Sequence, residues 1–226
     1  GHGRSGGVEM HVRRFAEYVA DLRTILDRFG ADPTRTAVVG NSMGGLAAVR
    51  LTQNADRGPG CPVAAAALCS PLLRIVTPVP VLKLIAGKAC RLLRPQTRFE
   101  VPVDPHDPAV AARPHDPLRR DSITASWFFA VRRADKAAWK DARRIETPLH
   151  IMQSGADRVV CPLAPGVWVN EVGSDTRSCE VLPGAGHEVF QEPDWRRHAD
   201  RIADWLDAQV PAAQATIRLR KSRVAA

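Results

Sequence analysis

Across residues 10–29 the apolar side chains Val12, Phe15, Val19, Leu22, Ile25, Leu26 and Phe29 recur at spacings of three and four, and Gly30 follows. That is the period of a helix with one buried face, ended by glycine. Residues 36–39 form a short apolar run suited to a buried strand, 40–45 a glycine-rich turn, and 46–53 a second helix. A further apolar run at 63–68, closed by Ser70 and Pro71, predicts the next strand of a parallel sheet. From Pro148 the alternation returns, with strands expected at 149–152 and 178–182 and helices at 165–172 and 195–209. Between these two halves prolines recur and no strand alternation survives. Within that stretch residues 81–93 are apolar with Lys83, Lys88 and Arg91 on the flank, and 123–142 read as helix. The pattern predicts an α/β core, with a mainly parallel sheet and helices on both faces, built from residues 1–70 and 148–210. Residues 71–147 are expected to form an inserted, partly helical cap, and 211–226 a disordered tail.

Composition narrows the class. A chain of 226 residues with 45% hydrophobic and 25% charged residues suits one well-cored domain and excludes a disordered or fibrous protein. It has no uncharged apolar run of the roughly 18 residues a membrane span needs, and its first residues lack the apolar stretch of a signal peptide. Five cysteines (Cys61, Cys69, Cys90, Cys161, Cys179) are odd in number and show no paired spacing. Neither a disulfide framework nor a zinc site is expected, no cofactor is implied, and a cytoplasmic setting fits. The net charge of +8 is unevenly spread. Arg218, Arg220, Lys221 and Arg223 lie in the tail, and Arg74, Lys83, Lys88, Arg91, Arg94 and Arg98 face only Glu100 in their stretch. Without interleaved aromatics or a reading motif, nucleic-acid binding is not expected.

Gly40-Asn41-Ser42-Met43-Gly44 matches G-x-S-x-G between a predicted strand and a predicted helix. So tight a turn strains the serine backbone and lifts its hydroxyl clear of the sheet. The helix N-terminus, through the Met43 N–H, offers a donor to a developing oxyanion. A serine needs a histidine to take its proton and a carboxylate to orient that histidine. Of the seven histidines, His2, His11, His106, His115, His150 and His198 fall in the opening loop, on helices, in the insertion or inside a strand. His187 alone sits in a glycine-flanked loop after a predicted strand. Asp157 follows the strand at 149–152 and should reach the same sheet edge, giving the chain order Ser, Asp, His. The competing reading makes Asp157 a turn cap beside Arg158; Asp135, Asp175 and Glu192 are weaker candidates, and Glu188 is expected to point elsewhere.

Four segments, GHGRSGG at 1–7, GNSMGG at 40–45, SGADRVV at 154–160 and GAGHEVFQE at 184–192, occur in order. Together they resemble the monoacylglycerol lipase and lysophospholipase branch of the α/β-hydrolases, often grouped with the serine aminopeptidase-like hydrolases. The resemblance spans roughly residues 1–208. It implies an α/β-hydrolase fold with Ser42 as nucleophile, Asp157 as acid, His187 as base, Met43 N–H in the oxyanion hole and 71–147 capping an acyl pocket. It also implies that Trp127 lines that pocket, the alternative being ordinary packing within the cap. Asn41 stands where relatives usually show histidine. Relatives also begin some tens of residues earlier, with strands flanking the serine's strand and a loop carrying a second oxyanion donor. Opening at Gly1 without an initiator methionine, the chain is expected to be a fragment lacking those first strands.

The expected activity is hydrolysis of a single-chain lipid ester, such as a monoacylglycerol or lysophospholipid, through an acyl-serine. The alternatives are a peptidase or small-ester esterase with the same three residues, or a catalytically dead binding scaffold. The segment at 81–93 is expected to pack on the sheet, with contact to an anionic membrane surface as the other outcome.

Overall fold

The structure, a computed structural model, describes residues 1–53, 62–76, 81–100, 118 and 120–210. Cys61, His106, His115, many prolines of the inserted stretch and the tail at 211–226 lie outside the described residues.

Helix α1 (Ala16–Arg28) starts later than the apolar period predicts. Met10 takes a φ of +49°, a conformation no right-handed helix passes through. Arg13 and Arg14 donate their backbone N–H groups to the Glu17 carboxylate, which ties the chain entering the helix to its first turn. Strand β1 (Ala37–Asn41) and helix α2 (Met43–Thr52) follow. The turn between them is shorter than expected. Pairing continues through Gly40↔Leu68 and Asn41↔Cys69, and the chain reverses on Ser42 alone. Strand β2 (Ala65–Cys69), helix α3 (Val81–Leu93), strands β3 (Arg98–Glu100) and β4 (Ser122–Thr124) and helix α4 (Ala125–Lys140) lead into the second half. There β5 (Leu149–Ser154), the short α5 (Ala164–Trp168), β6 (Arg177–Leu182) and α6 (Trp195–Gln209) alternate.

β1, β2, β5 and β6 form one parallel sheet in the order β1-β2-β5-β6. Every residue of β2 is buried, and three of its five are alanine, so helices approach both faces closely. Ala66, Leu68, Leu149 and Ile151 point into the larger core with residues of α1, α2, α4 and α5. Their neighbours Ala67, Cys69 and Met152 point the other way, into a smaller core closed by Ile202 of α6 and by Leu182 and Val189. Burial drives the Cys69 thiol up to about 12, which keeps it un-ionised. The parallel sheet covered on both faces is the α/β architecture expected.

Two features of the intervening stretch were not legible. β3 and β4 pair antiparallel, Arg98↔Thr124 through Glu100↔Ser122. Strands of three residues are too short to leave a detectable alternation. The stretch read as helix at 123–142 starts at Ala125 because Ile123 and Thr124 belong to β4, and the Thr124 hydroxyl caps the helix by accepting from Trp127 N–H. Ala130, Val131, Ala134 and Ala138 of α4 lie in the larger core, and the Ala138 carbonyl accepts from both Gln53 and Trp168. α4 thus helps to seal one face of the sheet. By contrast, α3 meets α4 through Gly87, against Phe129, and leaves Val81, Leu82, Ile85, Leu92 and Leu93 exposed.

Candidate active site

The turn at Ser42 is built by what its neighbours lack. A Cβ on Gly40 would stand 2.5 Å from the Gly44 carbonyl oxygen, and one on Gly45 would stand 2.9 Å from Pro71 Cβ, so both positions require glycine. Ser42 takes φ +50° and ψ −114°, which costs a side-chain-bearing residue about 1–3 kcal/mol. The surrounding hydrogen bonds hold it there. Ser42 N–H donates to the Cys69 carbonyl at 2.9 Å, and the Ser42 carbonyl accepts from Leu72 N–H at 3.0 Å and Leu46 N–H at 3.2 Å. Met43 supplies the first amide of α2, an N–H with no intrahelical acceptor at the positive end of the helix.

Three loops at the carboxyl ends of β1, β5 and β6 bring the expected side chains together. His187 Nε2 lies 2.9 Å from Ser42 Oγ, and His187 Nδ1 lies 2.8 Å from Asp157 Oδ2. Asp157 Oδ1 accepts from the backbone N–H groups of Val159, at 2.8 Å, and Val160, at 2.9 Å. The two amides fix the carboxylate through Oδ1, and Oδ2 serves the imidazole with a longer bond from Gln153 Nε2 at 3.5 Å, so the turn-cap role and the histidine-facing role coexist in one side chain. With a proton on Nδ1 donated to Asp157, Nε2 keeps a lone pair for the serine O–H. The His187 loop is tied to the loop after β5 by Ala156 N–H donating to the Ala185 carbonyl at 3.0 Å. Asp157 and His187 are both buried, which keeps bulk water from competing for these bonds.

The rival residues stand elsewhere. Asp175 precedes β6 and so lies at the opposite end of the sheet, exposed. Asp135 is on α4, where burial pushes its carboxyl up to about 6 against the pull of Arg74, Arg132 and Lys136. Glu192 accepts from Gly186 N–H at 2.7 Å and so braces the His187 loop. His150 sits inside β5 against Ser178 and stacks on Trp205, with burial lowering its pKa. His198 pairs with Asp194 on α6, His11 meets Thr124, and His2 accepts from Arg120 N–H. Trp127 is half-buried, packs against the larger core and donates from Nε1 to the Tyr18 hydroxyl at 3.0 Å. One contact was missed in the sequence: Asn41 Nδ2 donates to Glu188 Oε2 at 3.2 Å. Its only sequence signal is that each partner adjoins a triad residue, Ser42 or His187.

Among the described residues no group of three or more His, Cys, Asp or Glu side chains could hold a metal ion, and no helix is long and apolar enough to cross a membrane.

Residues 1–194 match the family model described as serine aminopeptidase, S33. The chain is 30% identical over 213 residues to a monoacylglycerol lipase of Mycolicibacterium smegmatis, covering 91% of this chain and 75% of that protein. To the phospholipase YtpA of Bacillus subtilis it is 24% identical over 200 residues, 86% of this chain and 76% of that one. Among solved structures, the monoacylglycerol lipase of Paleococcus ferrophilus superposes with a TM-score of 0.81 at 24% identity, covering 92% of this chain and 80% of that one. A soluble variant of the Saccharomyces cerevisiae monoglyceride lipase, solved with a substrate analogue, gives a TM-score of 0.75 at 16% identity, covering 93% and 75%. At such identities these two likenesses speak for the fold.

Proposed function

Because the chain belongs to the serine aminopeptidase, S33, family of α/β-hydrolases, we propose that it is a serine ester hydrolase of single-chain lipid esters, monoacylglycerols or lysophospholipids, working through an acyl-serine intermediate. The observation that carries this reading is the continuous relay from Asp157 through His187 to Ser42, at 2.8 and 2.9 Å, beside the N-terminus of α2.

Ser42 Oγ attacks the ester carbonyl carbon as His187 Nε2 takes the hydroxyl proton, and Asp157 stabilises the imidazolium that results. The tetrahedral oxyanion accepts from Met43 N–H. Collapse breaks the bond to the alcohol, which leaves with the proton from Nε2. Water, deprotonated by the same nitrogen, then attacks the acyl-serine and returns Ser42 to its starting state. The lipid side of the proposal draws on the monoacylglycerol lipase and phospholipase names of the relatives. In it, the stretch at 71–147, apart from the face of α4 that packs in the larger core, caps the acyl pocket and Trp127 forms part of its wall.

The test is a series of p-nitrophenyl esters of increasing chain length, set beside aminoacyl amides and a fluorophosphonate probe. The expected result is labelling at Ser42 and a kcat/KM that rises steadily with acyl length. Preference for aminoacyl amides instead points to a peptidase, a flat profile to a small-ester esterase, and retained lipid binding without labelling to a dead scaffold.

The exposed apolar residues of α3, with Lys83, Lys88 and Arg91 on the same helix, favour contact with an anionic lipid surface over burial. Leu82→Asp with Ile85→Asp is expected to weaken binding to phosphatidylglycerol vesicles roughly tenfold while leaving hydrolysis of dissolved short-chain esters intact. Unchanged vesicle binding in that variant would remove this part of the proposal.

A further inference from the structure

We infer that Asn41 and Glu188 form a clasp that holds the His187 loop in register with the Ser42 turn, a positioning pair for the hydrolytic centre; the inference rests on the function proposed above. Asn41 ends β1 immediately before Ser42, and Glu188 follows His187. Their side chains meet with Asn41 Nδ2 donating to Glu188 Oε2 at 3.2 Å.

The need for such a tie follows from the sheet order. β1 and β6 are at opposite ends of β1-β2-β5-β6, so their carboxyl ends start about 14 Å apart, three strand spacings. Among the described residues, backbone bonds secure the His187 loop only toward the β5 side, through Gly155 N–H to the Leu182 carbonyl and Ala156 N–H to the Ala185 carbonyl. Toward β1, the Nε2–Oγ contact must break and reform as the proton passes from serine to leaving group. A bond remade in every turnover does not also set the spacing. The Asn41–Glu188 bond joins the same two segments and exchanges no proton in the mechanism.

The amide orientation carries a second sign of purpose. Asn41 Oδ1 is buried with no hydrogen-bond partner among the described residues. Turning the amide over would set that oxygen against the Glu188 carboxylate, oxygen to oxygen, so the carboxylate dictates which end of the amide faces it. The protein tolerates an unsatisfied buried acceptor and keeps the bond across the gap.

The experiment uses four variants of the intact protein: Asn41→Ala, Asn41→Asp, Glu188→Gln, and Asn41→Asp combined with Glu188→Gln. The readouts are kcat and KM for a short-chain ester, the rate of fluorophosphonate labelling, and backbone amide exchange over residues 184–190. Asn41→Ala should lower kcat and the labelling rate about tenfold, leave KM within about twofold, and speed exchange in the loop. Glu188→Gln keeps an acceptor oxygen for Asn41 and should lose less than Asn41→Asp, which makes it the single-variant reference for the double one. Asn41→Asp sets two carboxylates face to face and should lose about a hundredfold. The double variant, in which the glutamine amide donates to the new carboxylate, should regain most of that loss. A residue that only supports folding gives no such rescue across the gap. Unchanged labelling and exchange in Asn41→Ala, or a double variant no better than Asn41→Asp, would overturn the clasp. If the parent protein is not labelled at all, the hydrolase reading falls by itself. The exchange data then still judge the clasp, by a rise in Asn41→Asp that the second substitution reverses.

Discussion

Replacing Ser42 by alanine is expected to reduce ester hydrolysis on the order of 10⁶-fold and to abolish fluorophosphonate labelling. Ser42 Oγ is the hydroxyl within reach of His187 Nε2, and without it the proposed acyl intermediate cannot form. In the proposed mechanism the residual rate would come from the Met43 N–H and from substrate binding. A companion substitution separates chemistry from strain. Ser42→Gly should be as inactive as Ser42→Ala, yet the backbone at φ +50° is open to glycine. Relief of strain outweighs the added entropy of the unfolded chain, so Ser42→Gly should be the more stable of the two by about 1 kcal/mol, read as a higher urea midpoint. Retention of more than about a hundredth of the activity in Ser42→Ala would identify a different nucleophile.

Asp157→Asn is expected to lower kcat by about 10⁴-fold with little change in fold. The backbone N–H groups of Val159 and Val160 occupy Oδ1, and an asparagine carbonyl can take that place. Its amide nitrogen then faces His187 Nδ1 as a donor where an acceptor stood. The imidazole responds by carrying its proton on Nε2, where it points at Ser42 and cannot accept. Melting temperatures that match the parent, together with the kinetic loss, would place the defect in the tautomer. A loss below about tenfold would show that Asp157 serves the turn and not the histidine.

How far the chain could be read in advance varied with the kind of signal. Helix α6 was expected over 195–209 and occupies Trp195–Gln209, because fifteen residues of helical period leave little ambiguity. Strands β1 and β5 both run past their apolar runs. They end in Gly40 and Asn41, and in Gln153 and Ser154, which hydropathy alone would assign to loops. These polar ends are held by tertiary contacts: Ser154 by the Ser70 hydroxyl, Asn41 by Glu188. A site at the carboxyl edge of a sheet places polar residues inside strands, so the hydrophobic pattern fades where function begins. The late start of α1 has a similar cause, since the carbonyls of Met10 and Val12 accept from Thr124 and Ser126 and so hold the chain ahead of the helix to distant residues.

The order of elements, the strained serine turn and the three residues to examine for chemistry follow from local constraints. Periodicity, glycine spacing and position after a strand are written in consecutive residues, and each restricts the backbone without help from distant ones. The separation of His187 from Ser42, the division of labour between the two oxygens of Asp157, the placement of α4 in the core and the pairing of Asn41 with Glu188 depend instead on sheet order and on which side chains share a buried space. These relations join residues far apart along the chain, and they come into existence only when burial of the core brings the strands side by side.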